Sequence, residues 1–249
     1  MLNDFESVGI LFAAGVISGI INVMAGGGST LTLPALIFLG LDGTVANGTN
    51  RIAVLVQSIV AIYTFRSEKY SRFQLSLKMG LFTLPGAILG AIVASRIEGV
   101  LFEKILGVVM IGVVATLLIP KKKVLSIENI QNVPVLVYLA MFGIGFYGGF
   151  IQVGVGFLLM AALSYLLKES LVLVNVHKVF ITFLFTIPAI VIFILTDNIV
   201  WFYAISLAAG NGLGAWWSAK ISVKKGEKII KPILIVSIII MALKLMEVF

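Results

Sequence analysis

The chain has 249 residues, no cysteine, one histidine and a formal net charge of +7. Of these residues 60% are hydrophobic and only 12% charged, with a mean hydropathy of +1.15, whereas a soluble domain carries about 25% charged residues. That balance excludes a soluble globular domain, thiol chemistry and disulfides. The lysines and arginines cluster in short stretches between apolar segments, which is how membrane proteins mark cytoplasmic loops and not how a nucleic-acid surface is built.

Residues 1–7 carry Asp4 and Glu6 and no basic residue, unlike the basic start of a signal peptide, so membrane structure is expected from Val8 onward. The apolar run 8–41 is too long for one span and is interrupted by Gly26-Gly27-Gly28. Three consecutive glycines disfavour a continuous helix, each by about 1 kcal/mol relative to alanine. The spacing predicts a helix over 8–25 and a restart at 29–41, leaving backbone N–H groups at the restart that suit an anion. Broken helices mark substrate sites in secondary transporters, although glycines also serve close helix packing. Segments follow at 45–65, at 73–95 with a kink at Pro85-Gly86, and at 100–119. A lysine-rich connection begins at Lys121-Lys122-Lys123.

The second half repeats this order. An apolar pair occupies 134–167, broken between Gly148 and Gly156, and segments follow at 171–195, 200–219 and 232–246. Shifted by 128 residues, Gly15, Gly26 and Gly28 meet Gly143, Gly154 and Gly156; shifted by 124, Gly86, Gly90 and Ala91 meet Gly210, Gly214 and Ala215. The loops at 66–72, 121–128 and 220–231 are basic, while the N-terminus, 96–104 and the turn at Asp197 are acidic or neutral. The positive-inside rule then gives the halves opposite orientation, so each crosses an odd number of times. Five segments per half fit, whether the leading pairs span or dip in and return. The expected fold is therefore an all-α polytopic membrane protein of two inverted repeats. Residues 1–120 form the first, 121–133 a cytoplasmic linker and 134–249 the second, with both termini outside.

Two polar clusters open the segment after each broken pair. Asn47-Gly48-Thr49-Asn50-Arg51 places a cation inside an apolar stretch, and Asn175-Val176-His177-Lys178 places Lys178 and His177 where Arg51 and Asn50 stand, allowing one deletion. An intramembrane charge faces a cavity or the protein interior, or else its side chain reaches the interface. Asn22 and Gln152 stand near the two breaks. The candidate substrate-binding set is Asn22, Gly26, Gly27, Gly28, Ser29, Thr30, Asn50, Arg51, Gln152, His177 and Lys178. His177 has the pKa range for proton coupling, and a lone histidine is also common as a packing residue. There is no zinc-type spacing, phosphate loop or intramembrane carboxylate pair, so neither a metal nor a cofactor is expected. A single histidine without cysteine leaves little for an intramembrane enzyme.

Gly19-Ile20-Ile21-Asn22, Ala25-Gly26-Gly27-Gly28, Leu33-Pro34-Ala35-Leu36 and Gly48-Thr49-Asn50-Arg51 together resemble the first-repeat signature of the TauE/SafE sulfite exporter family. Residues 143–150 resemble the start of its second repeat, and 225–232 its last loop, most like the YfcA branch. The family often has aspartate where this chain has Asn22, and the YfcA-like branch often has one at Gly148. The resemblance implies a bacterial cytoplasmic-membrane protein that moves a small anion (sulfite, an organosulfonate or a related carboxylate), driven by an ion gradient. The partners expected are that anion and the lipid bilayer, with no nucleic acid and with a homo-oligomer open. A non-transporting assembly or sensor subunit, or a cation transporter, is the alternative. Loss of Arg51 or Lys178 is expected to weaken anion binding, and an alanine at Gly27 or Gly28 to do so more than it weakens folding.

Overall fold

The computed structural model describes residues 4–70, 72–106, 108, 135–167, 169–226, 228–229 and 232–233. The linker 121–133, most of the segment expected at 100–119 and nearly all of 232–246 lie outside the described residues. Among those described, the chain is entirely helical. The first half contains α1 (Asp4–Met24), α2 (Ser29–Phe38), α3 (Gly43–Ser67), α4 (Phe73–Leu81), α5 (Leu84–Ala94) and α6 (99–106). The second contains α7 (Val135–Phe150), α8 (Val155–Leu166), α9 (Leu171–Leu195) and α10 (Trp201–Lys225).

Local chemistry explains the boundaries. Asp42 accepts from the Thr44 amide and Ser170 from the Leu173 amide, capping α3 and α9. Gly26 and Gly154 stand in the two breaks at φ +96° and +73°, a left-handed backbone that glycine adopts without penalty. The kink expected at Pro85 is a 48° bend between α4 and α5, with Pro85 in the first turn of α5, where a missing N–H costs nothing. The helix expected to end at Ala219 continues through the basic stretch to Lys225. Lysine is a good helix former, and Lys220 folds its ammonium over the Trp216 ring, 4.3 Å from the centroid.

Residues 6–24, 43–67 and 171–195 are long and apolar enough to cross a membrane, and the bent α4–α5 pair is a fourth candidate. The first leading pair is a hairpin with a short return arm. Val8 and Thr49 both bond the N-terminal turns of α10: Ser206 Oγ donates to Val8 O, and the Val200 amide donates to Thr49 Oγ1. The α1–α2 hairpin therefore leaves at the end where it entered. Its return arm has only 10 residues, about 15 Å of a hydrocarbon core about 30 Å thick.

The two ends of the bundle differ in charge. Asn198 donates to Ser95 O and lies against Gly48, and Thr44 donates to Ile97 O. These contacts gather Asp42, Glu98, Glu103 and Asp197 at one end. Helices α3 and α10 run parallel from there, with Gly212 beside Val56 and Val60, so Arg66, Lys69, Arg72, Lys224 and Lys225 lie at the other.

Two glycine seams hold the frame. Between α1 and α10, a Cβ at Gly15 or Gly19 would meet the backbone of Leu207 or Asn211, and one at Gly210 or Gly214 the backbone of Phe12 or Val16. Between α5 and α7, a Cβ at Gly86 or Gly90 would meet Phe142 or Phe146, and one at Gly145 or Gly149 would meet Thr83 or Ala87. Each seam joins a helix of the first half to one of the second. Their registers correct the sequence superposition in one place. Gly145, and not Gly143, plays the part of Gly15, because a Cβ at Gly143 meets nothing within 4 Å.

Two outcomes follow. Gly149→Ala is expected to lower the melting temperature of the purified protein clearly, while Gly143→Ala leaves it near wild type; equal effects would deny the seam. In this cysteine-free chain, single cysteines at Asp197 and Lys69 are expected to react with impermeant thiol reagents from opposite sides of the membrane.

Candidate functional site

The two helix breaks meet at the centre. A Cβ on Gly26 would strike the backbone of Gly156, and one on Gly156 would strike Gly26. Beside this crossing run α3 and α9. Phe193, near the end of α9, packs on Gly48 and Arg51 near the start of α3, so the two helices are antiparallel.

A helix that stops inside a protein leaves carbonyls without partners and the negative end of its dipole exposed. Here each stopped helix is capped by a cation from the other half. Arg51, fully buried, donates from Nη1 to Gly148 O at 3.0 Å and from Nη2 to Gly149 O at 2.6 Å and Phe150 O at 3.4 Å. Asn47, one turn before it, donates to Phe150 O at 2.9 Å. Lys178, also buried, donates to Asn22 O at 2.9 Å, Val23 O at 2.7 Å and Asn175 Oδ1 at 2.8 Å. Asn175, one turn before it, donates to Met24 O at 3.5 Å. The ends of α7 and α1 thus receive the same Asn-plus-cation arrangement. The Arg51 guanidinium also lies 4.8 Å from the Phe193 ring centroid.

Next to the crossing is a narrow cavity, in which the centre of a water molecule can range over about 10 Å³. Asn22 and Ser29 reach it from the first break, Gln152 and Gly156 from the second, Gln57 and Ser58 from α3, and Lys178 and Thr182 from α9. No carboxylate lines it, and no cluster of metal-ligand side chains occurs among the described residues. Ser58 Oγ and Gln152 Oε1 are buried without a partner. Gln152 Nε2 donates to Thr186.

Of the residues expected at the site, Asn22, Ser29, Gln152 and Lys178 converge on this cavity. Gly26, Gly27, Gly28 and Thr30 build the break itself. The Gly28 amide donates to Asn22 Oδ1 at 3.3 Å, and Asn22 in turn donates to Gln57 Oε1. A Cβ at Gly27 would enter the Phe157 ring, and Thr30 donates to its own turn at Gly27 O. Asn50 accepts from Thr32, and Arg51 lies at the α7 cap and not on the cavity. His177 points away from the cavity to α4, with Ser76 at one ring nitrogen and Glu169 at the other. Gln57, Ser58 and Thr182 are cavity residues that the sequence analysis did not single out. A helical-face reading would have found two of them: Thr182 follows Lys178 by one turn, and Ser58 follows Arg51 by two.

The sequence is similar to known membrane proteins along nearly its whole length. The family described as "Sulfite exporter TauE/SafE" matches residues 11–245. Over 244 residues the chain is 28% identical to "Probable membrane transporter protein ORF9" of Sinorhizobium sp, covering 97% of this chain and 93% of the relative. It is 27% identical over 246 residues to a "Probable membrane transporter protein" of Haemophilus influenzae, covering 96% and 94%. "Probable membrane transporter protein YfcA" of Escherichia coli is 28% identical over 244 residues, covering 96% and 89%. No solved structure matches the chain.

The caps set an expectation for Arg51. Arg51→Ala strips charged donors from three carbonyls at the end of α7, and hydrogen bonds to a charged group are each worth about 1.5–3 kcal/mol. The variant should unfold at a markedly lower temperature, with Arg51→Lys intermediate because lysine keeps the charge but lacks the planar fork that meets Gly148 O and Gly149 O from separate nitrogens. A wild-type melting curve for Arg51→Ala would show that the cap carries no stability.

Proposed function

The chain belongs to the sulfite exporter TauE/SafE family, and from that premise we propose that it is a secondary transporter of a small anion such as sulfite, an organosulfonate or a related carboxylate. The anion binds in the cavity beside the crossed breaks. One observation carries this reading: a buried ammonium, Lys178, lines a cavity that holds no carboxylate, between the first residues of two half-helices, Ser29 of α2 and Val155 of α8. Helix N-termini and a desolvated cation both favour negative charge.

The three Lys178 N–H groups are spent on Asn22 O, Val23 O and Asn175. Its contribution to the anion in this conformation is therefore its field. Direct hydrogen bonds come from Ser29, Ser58 and Thr182, with Asn22 and Gln152 shaping the walls. The glycines 26–28, Thr30, Asn50 and Arg51 act behind the site by holding the breaks. A cavity of this width takes a water and excludes sulfite until its walls separate, which fits a closed stage of alternating access.

The halves act as inverted repeats, 1–120 and 134–249, in the bacterial cytoplasmic membrane. The paired glycine seams, the paired caps and the left-handed glycines at 26 and 154 support that relation. The basic end, with Arg66, Arg72, Lys224 and Lys225, faces the cytoplasm and both termini lie outside.

A thermal-stability screen of the purified protein against sulfite, sulfate, sulfoacetate, taurine, thiosulfate and short carboxylates tests the proposal. At least one anion is expected to raise the melting temperature in a concentration-dependent way, as any ligand of the folded state does. Ser58→Ala and Thr182→Val should weaken that ligand by about tenfold, the effect of one lost hydrogen bond, while the unliganded melting temperature changes little. Cations that stabilise where none of these anions does would overturn the reading.

A further inference from the structure

His177 is the only histidine, fully buried, and takes no part in the cavity. Its surroundings are specific. Nε2 lies 2.7 Å from Glu169 Oε2, in the α8–α9 turn, and Nδ1 lies 2.8 Å from Ser76 Oγ on α4. Ser76 Oγ lies also 3.1 Å from the Arg72 carbonyl. Glu169 is partly exposed, with Arg72 Nε at 3.8 Å. Glu169 and Arg72 are the charged groups that face the imidazole among the described residues.

This arrangement satisfies the ring with or without an extra proton. A carboxylate at Nε2 accepts only, so the neutral ring carries its hydrogen on Nε2, and Nδ1 accepts the Ser76 hydroxyl hydrogen. When a proton is added, Nδ1–H donates to Ser76 Oγ, and the hydroxyl rotates its hydrogen to the Arg72 carbonyl. Every donor has an acceptor in both states, and no heavy atom has to move. A histidine kept only for packing needs one such state.

We propose that His177, Ser76 and Glu169 form a proton-binding site whose proton is the coupling ion for anion movement. The coupling half of this rests on the transporter reading above. Glu169 is the solvent-facing member, at the basic end of the bundle. The proton charges α9 one residue before Lys178, which faces the anion cavity from the same helix. His177 points to α4 and Lys178 to the end of α1. A shift of α9 therefore disturbs the proton site and the anion site together, and one proton carried with one monoanion moves no net charge.

Two measurements on the full chain separate the two claims. With a tag that contains no histidine, ¹⁵N-histidine labelling reports one imidazole. In the lipid-embedded protein it is expected to titrate reversibly between about pH 5 and about pH 8, the range in which imidazoles change charge. Glu169→Gln should lower the midpoint by removing the carboxylate that favours the charged ring. A ring that keeps one protonation state across that range in the folded protein overturns the proposal. In proteoliposomes with radiolabelled sulfite, wild type is expected to accumulate sulfite along an imposed pH gradient. His177→Gln and Glu169→Gln should keep sulfite exchange without a gradient and lose about tenfold or more of the accumulation. Accumulation at wild-type level in both variants overturns the coupling role. A ring that titrates in a protein that exchanges no sulfite supports the proton site and counts against sulfite as the anion.

Discussion

Two stopped helices, α1 and α7, end inside the protein, and everything around the centre depends on satisfying their last carbonyls. Each end is met by a cation and an asparagine one turn apart on a long helix of the opposite half: Asn47 and Arg51 on α3, Asn175 and Lys178 on α9. Leaving such carbonyls unpaired in hydrocarbon costs several kcal/mol each, and burying such cations without partners costs more. Each defect compensates the other. This reciprocity lets an apolar chain keep broken backbone and buried charge at the same depth.

The caps leave the starts of α2 and α8 free to face a shared cavity. The first break then closes much of its own polarity inward, because the Gly28 amide goes to Asn22 and Asn22 goes to Gln57. The cavity is therefore walled by side chains, Lys178 among them, and Ser58 Oγ and Gln152 Oε1 are buried there without a partner. Lys178 closes the end of α1 and lines the cavity at the same time.

Packing is uneven around this centre. The α1–α10 and α5–α7 seams bring backbone onto backbone, and a single methyl group would collide at most of their glycines. The crossing of α3 and α9 is different. It is built from long polar side chains, a narrow cavity and rings such as Phe193 and Phe185. The frame is tightly packed at the seams and polar at the crossing.

Much of this was legible in the sequence, for identifiable reasons. Hydropathy located the long apolar helices, because burying or lipid-exposing about 20 residues leaves a composition that no loop shares. The Gly26–Gly28 run and the 148–156 stretch marked the breaks, because a left-handed turn selects glycine locally. Arg51 and Lys178 stood out, because charge inside an apolar segment needs a reason. Their partners could not be read. Which carbonyl a guanidinium meets depends on a helix about a hundred residues away, and the sequence suggested a ligand where the fold supplies Gly148, Gly149 and Phe150. His177 was visible as the lone imidazole, but its direction toward Ser76 and Glu169, away from Lys178, follows from the rotation of α9 against α4. The register of Gly145 against Thr83 was likewise hidden, since glycine spacing repeats and only contact across helices selects one match. Sequence determined which residues were anomalous in a membrane; the tertiary structure decided what answers each anomaly, because the answers are backbone groups from distant helices, and a backbone carbonyl leaves no trace in residue type.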